Sequence, residues 1–143
     1  MKIKASKKHY TAHATIVWCF DHRFSLALRQ YIKKNGIREY DLICVAGGAK
    51  SLSSPEAVSH RDFILDQIGK SIRLHDPKKI MLMTHSDCGA YGGLKKFDHD
   101  AKKEKSFHHK ELVVARKVLA KHLGDVRVAV ESVFADFERL HRV

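Results

Sequence analysis

The sequence contains little proline, little cysteine and no long apolar segment. Of its 143 residues, two are proline, three are cysteine and one is tryptophan. No apolar run approaches the ~20 residues that a membrane-spanning helix needs, so we expect no membrane partner. Lysines near the start are not followed by an apolar stretch, which argues against a secretory signal. We therefore expect a cytoplasmic protein.

The three cysteines are an odd number, and no export signal accompanies them. A disulfide framework is therefore a poor explanation for them. Thiolates that bind a metal or take part in chemistry fit better.

Acidic residues are also scarce: 16 stand against 27 lysines and arginines, which gives a formal net charge of +11. Such an excess can indicate nucleic acid as a partner. The basic residues are scattered in short groups, however, as at Lys33-Lys34, Lys78-Lys79 and Lys95-Lys96. Because clustering carries this signal more than total charge does, we expect a solvated surface and no nucleic-acid partner.

Hydrophobic patterns divide the chain into alternating strands and helices after a polar segment at 1–12, which we expect to be a flexible tail. Short β-branched runs predict strands, and apolar residues spaced by three and four predict helices. Strands are predicted over 14–20, 41–46, 80–84 and 126–130. Helices are predicted over 24–35, 54–74, 107–123 and, as a short last one, about 134–140, with a charged loop over 95–106. This order predicts a single α/β domain over 13–143, with a mostly parallel four-stranded sheet flanked by helices.

Potential metal ligands fall at the ends of the predicted strands. Cys19 closes the first strand, and His85 and Cys88 follow the third. Ligands collect at the carboxyl ends of strands in an open α/β sheet, so these side chains converge if the two strands are neighbours. Two thiolates and one imidazole suit a zinc ion that keeps its fourth position open. Cys44, inside the second strand, is predicted to be a small core residue.

An acidic and a basic residue follow Cys19 closely. Asp21 can lie on the same side as Cys19, and Arg23 can pair with its carboxylate in a bidentate fashion. Such a pair keeps the carboxylate ionised and fixes its orientation. Asp21 could then orient a zinc-bound water or occupy the fourth position itself.

These residues form a recognisable pattern. The segments Cys19-x-Asp21-x-Arg23 and His85-Ser86-Asp87-Cys88-Gly89-Ala90 resemble the two signature motifs of the β-class carbonic anhydrases. The turn Ala46-Gly47-Gly48-Ala49 resembles the glycine turn after that family's second strand. The resemblance covers roughly residues 14–93 and implies the family's Rossmann-like parallel sheet.

The resemblance also implies a function. Cys19, His85 and Cys88 would bind Zn²⁺, Asp21 and Arg23 would form the catalytic dyad, and Gly47, Gly48 and Gly89 would contact the substrate. The expected reaction is the reversible hydration of CO2 to bicarbonate by zinc-bound hydroxide, a lyase activity. The expected assembly is a homodimer or a multiple of dimers.

Two other classes of function remain open. The same zinc site could hydrolyse carbonyl sulfide or carbon disulfide, because only pocket shape and access separate these linear substrates from CO2. The net charge leaves room for a non-catalytic zinc or nucleic-acid binding module. Each cysteine or histidine taken alone could simply be a core residue.

Overall fold

The computed structural model describes residues 1–143 and contains one five-stranded sheet in the order β2-β1-β3-β4-β5. The strands are β1 Ala14–Trp18, β2 Tyr40–Cys44, β3 Lys79–His85, β4 Ala129–Ala135 and β5 Leu140–Arg142. The helices are α1 Ser25–Lys34, α2 Lys50–Ser53, α3 Val58–His75 and α4 Ala101–Leu123. Short 3-10 helices span His22–Phe24, Gly89–Tyr91 and Leu94–Phe97. The first four strands are parallel and β5 is antiparallel to β4, so the prediction of a mostly parallel sheet is confirmed.

The central strands are buried because helices cover both faces of the sheet. Every residue of β1 is buried. Along β1 the side chains alternate between faces, with period 2. Ile16 and Trp18 join the core under α1, whereas Val17 joins the core under α3 and α4. This two-sided burial explains the nearly continuous apolar runs of β1 and β3.

The C-terminal segment differs from its prediction. In place of a short last helix the chain forms β5, and the preceding strand covers Ala129–Ala135 rather than 126–130. The carboxylate of Asp136 accepts hydrogen bonds from the backbone N–H groups of Glu138 and Arg139. This local turn reverses the chain, which is why β5 runs antiparallel and the strand count rises to five.

Two helices begin elsewhere than predicted. The α3 helix starts at Val58, because the Ser54 hydroxyl donates to Glu111 instead of capping a helix and a separate short α2 precedes it. The α4 helix starts at Ala101, inside the predicted charged loop, because Asp100 caps it by accepting from two backbone N–H groups.

The placement of Cys44 was also predicted wrongly. Its strand β2 lies at the edge of the sheet and is covered only on part of its surface, so Cys44 is exposed rather than a core residue. Before β1, Tyr10 donates to Asp41 and Ala12 is buried, so residues 1–12 touch the domain at their end. None of the helices combines the length and the hydropathy required of a bilayer-crossing segment.

Candidate metal centre

The carboxyl ends of β1 and β3 form one edge of the candidate site. The two strands pair directly in parallel, with Ile16 opposite Met81 and Val17 opposite Leu82. Cys19 follows the last residue of β1, and His85 is the last residue of β3. The first and third strands are therefore neighbours, which was the condition for the three side chains to converge.

The ligand atoms of Cys19, His85 and Cys88 all lie within 4.8 Å of one another. The two Sγ atoms are 4.0 Å apart. All three residues are buried, with exposures of 3%, 0% and 2% respectively. The chain thus gathers two thiols and an imidazole, from distant segments, at one buried point.

The histidine is oriented for binding a metal. Its Nδ1 lies 2.8 Å from the carbonyl oxygen of Ser86, which can only accept, so Nδ1 carries the proton. The opposite nitrogen, Nε2, is buried and has no hydrogen-bond partner. A neutral imidazole held through one nitrogen presents a lone pair on the other, which is the usual arrangement of a metal-binding histidine.

The two thiols interact as a pair. The hydrogen bond from Cys88 to Cys19 lowers the pKa of the Cys19 thiol and raises the pKa of the Cys88 thiol. The backbone N–H of Gly47, 3.4 Å from the Cys19 sulfur, also favours the thiolate. A metal ion deprotonates its thiol ligands outright and would remove the proton that the two sulfurs share. The donor set and its geometry therefore fit a divalent metal such as zinc.

A tight turn holds the Cys19 end of the site. Gly48 has a φ of +55°, and a Cβ added there would lie 2.5 Å from the carbonyl oxygen of Met83 and 3.0 Å from the backbone nitrogen of Cys19. Only glycine fits between these two strand backbones. Gly47 and Gly48 thus position the cysteine, whereas a Cβ at Gly89 would meet nothing within 4 Å. Substrate contact by the three glycines stays a prediction.

Asp21 and Arg23 form the expected bidentate pair. The guanidinium Nη2 lies 2.7 Å from Asp21 Oδ2, and Nε lies 3.1 Å from both carboxylate oxygens. The hydrogen bonds from Arg23 lower the pKa of Asp21 to about 2. The backbone N–H of Arg23 donates a further hydrogen bond to Asp21 Oδ1, so the main chain also holds the carboxylate. Asp21 is therefore ionised and held in one orientation.

Arg23 also binds a second carboxylate, on the other motif. Its Nη1 lies 2.8 Å from Asp87 Oδ2, and its Nη2 lies 2.9 Å from the Asp87 carbonyl oxygen. Asp87 has a φ of +51°, a left-handed conformation that costs on the order of 1–3 kcal/mol outside glycine. Sequence reasoning noted Asp87 only as a motif residue. The sequence does contain a hint of this role: Asp87 is an acidic residue between the expected ligands His85 and Cys88, and Arg23 has enough donors to bind two carboxylates.

The Asp87 backbone is held from a third side by a residue that sequence reasoning missed. Its N–H lies 2.7 Å from Glu104 Oε1, on the first turn of α4. Glu104 fell in the predicted charged loop. Recognising Asp100 as a helix cap would have placed Glu104 in a helix, but not against Asp87.

An apolar pocket of about 380 Å³ opens beside the cluster and reaches Cys19 and Asp21. Its apolar wall includes Trp18, Phe20 and Leu42. A small uncharged molecule could contact this apolar surface next to the ionised Asp21 carboxylate.

Comparison with known proteins places the chain among relatives. The model of one protein family, described as "Putative carbonic anhydrase", matches residues 9–138. An uncharacterized protein of Rickettsia bellii is 26% identical over 135 residues, which cover 90% of this chain and 82% of that protein.

Solved structures share the fold. The β-carbonic anhydrase isoform I of Trichomonas vaginalis has a TM-score of 0.63 and 16% identity, with 99% of this chain and 87% of that chain covered. The apo form of a carbon disulfide hydrolase has a TM-score of 0.50 and 16% identity, with 92% and 79% covered. At these identities the likeness shows the architecture alone.

Proposed function

Because the chain belongs to the carbonic anhydrase family whose model matches it, we propose that it is a zinc enzyme that reversibly hydrates CO2 to bicarbonate. One observation carries the proposal: the ligand atoms of Cys19, His85 and Cys88 lie within 4.8 Å of one another, and Asp21, in the same motif as Cys19, is held by Arg23. A protein that used the cluster only for structure would need neither an open ligand position nor a fixed carboxylate.

The metal would be held by the three residues that converge at the strand ends. Cys19 and Cys88 supply thiolates, and His85 supplies Nε2. Zinc bound by three protein ligands lowers the pKa of a water at its open position and so makes a nucleophile available near neutral pH.

Asp21 acts on the attacking water as a hydrogen-bond acceptor. Its carboxylate stays ionised because Arg23 lowers its pKa to about 2, so it cannot donate a proton at neutral pH. An acceptor in a fixed place removes the orientational freedom of the water before it reacts. Arg23 contributes by fixing the orientation of Asp21.

The substrate would enter the apolar pocket lined by Trp18, Phe20 and Leu42. CO2 is small, linear and without net charge, so an apolar surface suits it better than a hydrogen-bonding site. We also propose that Gly47, Gly48 and Gly89 contact the substrate, although none of the three lines this pocket.

The test measures zinc content and CO2 hydration in the wild type and in Asp21→Asn. We expect about one zinc per chain in both proteins, since Asp21 is not among the three ligands. The rate should fall by at least ~10²-fold in the variant, because an amide is a poorer acceptor and pairs differently with Arg23. Asp66→Asn, at an exposed ion pair with Lys70 on α3, is the matched control and should keep full activity.

Two outcomes would contradict the proposal. A wild-type protein without zinc would contradict the proposed metal site. A zinc-loaded Asp21→Asn protein with wild-type activity would contradict the catalytic role of the Asp21–Arg23 pair.

A second candidate activity is hydrolysis of carbonyl sulfide or carbon disulfide. It is favoured by the fold shared with a carbon disulfide hydrolase and by an apolar pocket that suits any linear triatomic molecule. Parallel assays with CO2 and the two sulfur compounds decide between them, and we expect CO2 to be the best substrate.

A non-catalytic zinc or nucleic-acid binding module is the third candidate, suggested by the net charge of +11. The Asp21–Arg23 pair argues against it, because a module of that kind needs no oriented carboxylate. Binding to nucleic acid that weakens steeply with salt would favour it.

We further propose a homodimer or a multiple of dimers, which light scattering can test.

A further inference from the structure

Glu104 is a carboxylate in an unusual place. It is 1% exposed, its Oε1 accepts the Asp87 N–H at 2.7 Å, and its Oε2 has no hydrogen-bond partner. The nearest basic group is the buried His108, whose Nε2 lies 3.9 Å from Oε1, beyond hydrogen-bond distance. Burying an acid with one bond to the chain is unfavourable compared with an apolar residue of similar size. A contribution to stability alone therefore does not explain its presence.

The bond that Glu104 makes completes the set of contacts around Asp87. The N–H of Asp87, a residue in the left-handed conformation, points toward α4 and donates to Glu104. Its remaining polar groups are taken as well: Arg23 binds Oδ2 and the carbonyl oxygen, and the N–H of Leu94 donates to Oδ1 at 2.8 Å. Glu104, Asp87, Arg23 and Asp21 thus form one continuous chain of hydrogen bonds.

This chain joins the interior of α4 to both motifs of the candidate site. Asp87 lies between His85 and Cys88, so the position of its backbone sets where the Cys88 sulfur lies relative to His85. Asp87 also holds the far side of Arg23, which orients Asp21. We infer that Glu104 is a positioning residue: by accepting the Asp87 N–H it fixes the loop that carries Cys88 and, through Arg23, the orientation of Asp21. The inference rests on the proposed function for its catalytic consequence, but not for its effect on metal binding.

The experiment compares Glu104→Leu, which removes the acceptor, with Glu104→Gln, which keeps an acceptor oxygen without the charge. Leu119→Ala is the matched control, since Leu119 is buried on the same helix and belongs to the core away from the loop. Each protein is loaded with Co²⁺ alone, and its visible spectrum and cobalt affinity are recorded. Thermal unfolding, kcat and KM for CO2 are then measured on the zinc-loaded proteins.

We expect Glu104→Leu to change the cobalt spectrum and to weaken metal binding about 10–100-fold, as loss of a residue supporting metal ligands commonly does. The kcat should fall by a similar factor, with a smaller change in KM, because Asp21 orientation matters to the reaction more than to substrate binding. Glu104→Gln should restore spectrum and affinity to within about threefold of wild type. Leu119→Ala should lower the unfolding temperature without changing the cobalt spectrum or the cobalt affinity.

Three results would overturn the inference: a wild-type spectrum and affinity in Glu104→Leu, equal losses in Glu104→Gln, or the same losses in Leu119→Ala. A wild-type protein that binds cobalt but does not hydrate CO2 would contradict the proposed activity. The cobalt spectra would still decide the role of Glu104 in that case.

Discussion

Replacing Arg23 with lysine tests the link between the two motifs without removing a charge. Arg23 donates through Nε and Nη2 to Asp21, through Nη1 to the Asp87 carboxylate and through Nη2 to the Asp87 carbonyl oxygen. A lysine offers a single nitrogen on a flexible stem and has no planar fork. It can bind one of the two aspartates, but it cannot hold both in their present geometry.

The expected size of the effect follows from these contacts. Hydrogen bonds to charged groups contribute roughly 1.5–3 kcal/mol each when buried. The Arg23 side chain is 48% exposed, so solvent screening reduces that contribution. We therefore expect the free energy of unfolding to fall by only ~1–2 kcal/mol. The effect on kcat should be larger, about 10–100-fold, because small displacements of an orienting group are costly.

The assay is stopped-flow CO2 hydration of Arg23→Lys, together with its zinc content and thermal unfolding. Arg73→Lys, at an exposed position on α3, is the matched control and should behave as wild type. Zinc should be retained in both variants. A zinc-loaded Arg23→Lys protein with kcat within about twofold of wild type would refute the role of the bidentate pair.

Two further predictions concern stability. Gly48→Ala should lower the free energy of unfolding by at least ~2 kcal/mol and weaken zinc binding, since its Cβ would meet two strand backbones at positive φ. The control Gly69→Ala, in α3 with open space around the added Cβ, should be neutral or stabilising, and equal behaviour of the two variants would contradict this reasoning. Burial lowers the pKa of His108 to about 3, so the unfolded chain binds a proton more readily and stability falls as the pH drops below about 6.5. Between about pH 7 and pH 5 the wild type should lose roughly 2 kcal/mol more than His108→Leu in urea unfolding, and parallel pH profiles would exclude this assignment.

The sheet and the ligand cluster could be predicted because both follow from periodic burial. Continuous apolar runs at β1 and β3 indicated strands buried on both faces, and the helices between them required a parallel order. Parallel neighbours end at the same edge, so residues at the ends of β1 and β3 meet there once the two strands are adjacent, which the sequence left open and the structure shows. The convergence of Cys19, His85 and Cys88 is a consequence of that topology.

What could not be predicted depends on contacts between distant segments. No local pattern shows that β2 is an edge strand, so the exposure of Cys44 was missed. The β5 strand arises from a turn made by the Asp136 side chain, where the apolar spacing alone had indicated a helix. The contact between Glu104 and the Asp87 backbone joins α4 to the metal loop, and nothing in the sequence near either residue indicates it.

The central claim is that two sulfurs and one imidazole from separate segments hold a single zinc ion. Zinc-edge X-ray absorption on the purified protein, together with its metal content, tests this most directly. We expect about one zinc per chain, with two sulfur ligands at about 2.3 Å, one nitrogen ligand at about 2.0–2.1 Å and one further light atom. In Cys88→Ser one of the two sulfur contributions should disappear. A zinc shell made only of nitrogen and oxygen, or a protein that binds no metal, would contradict the claim.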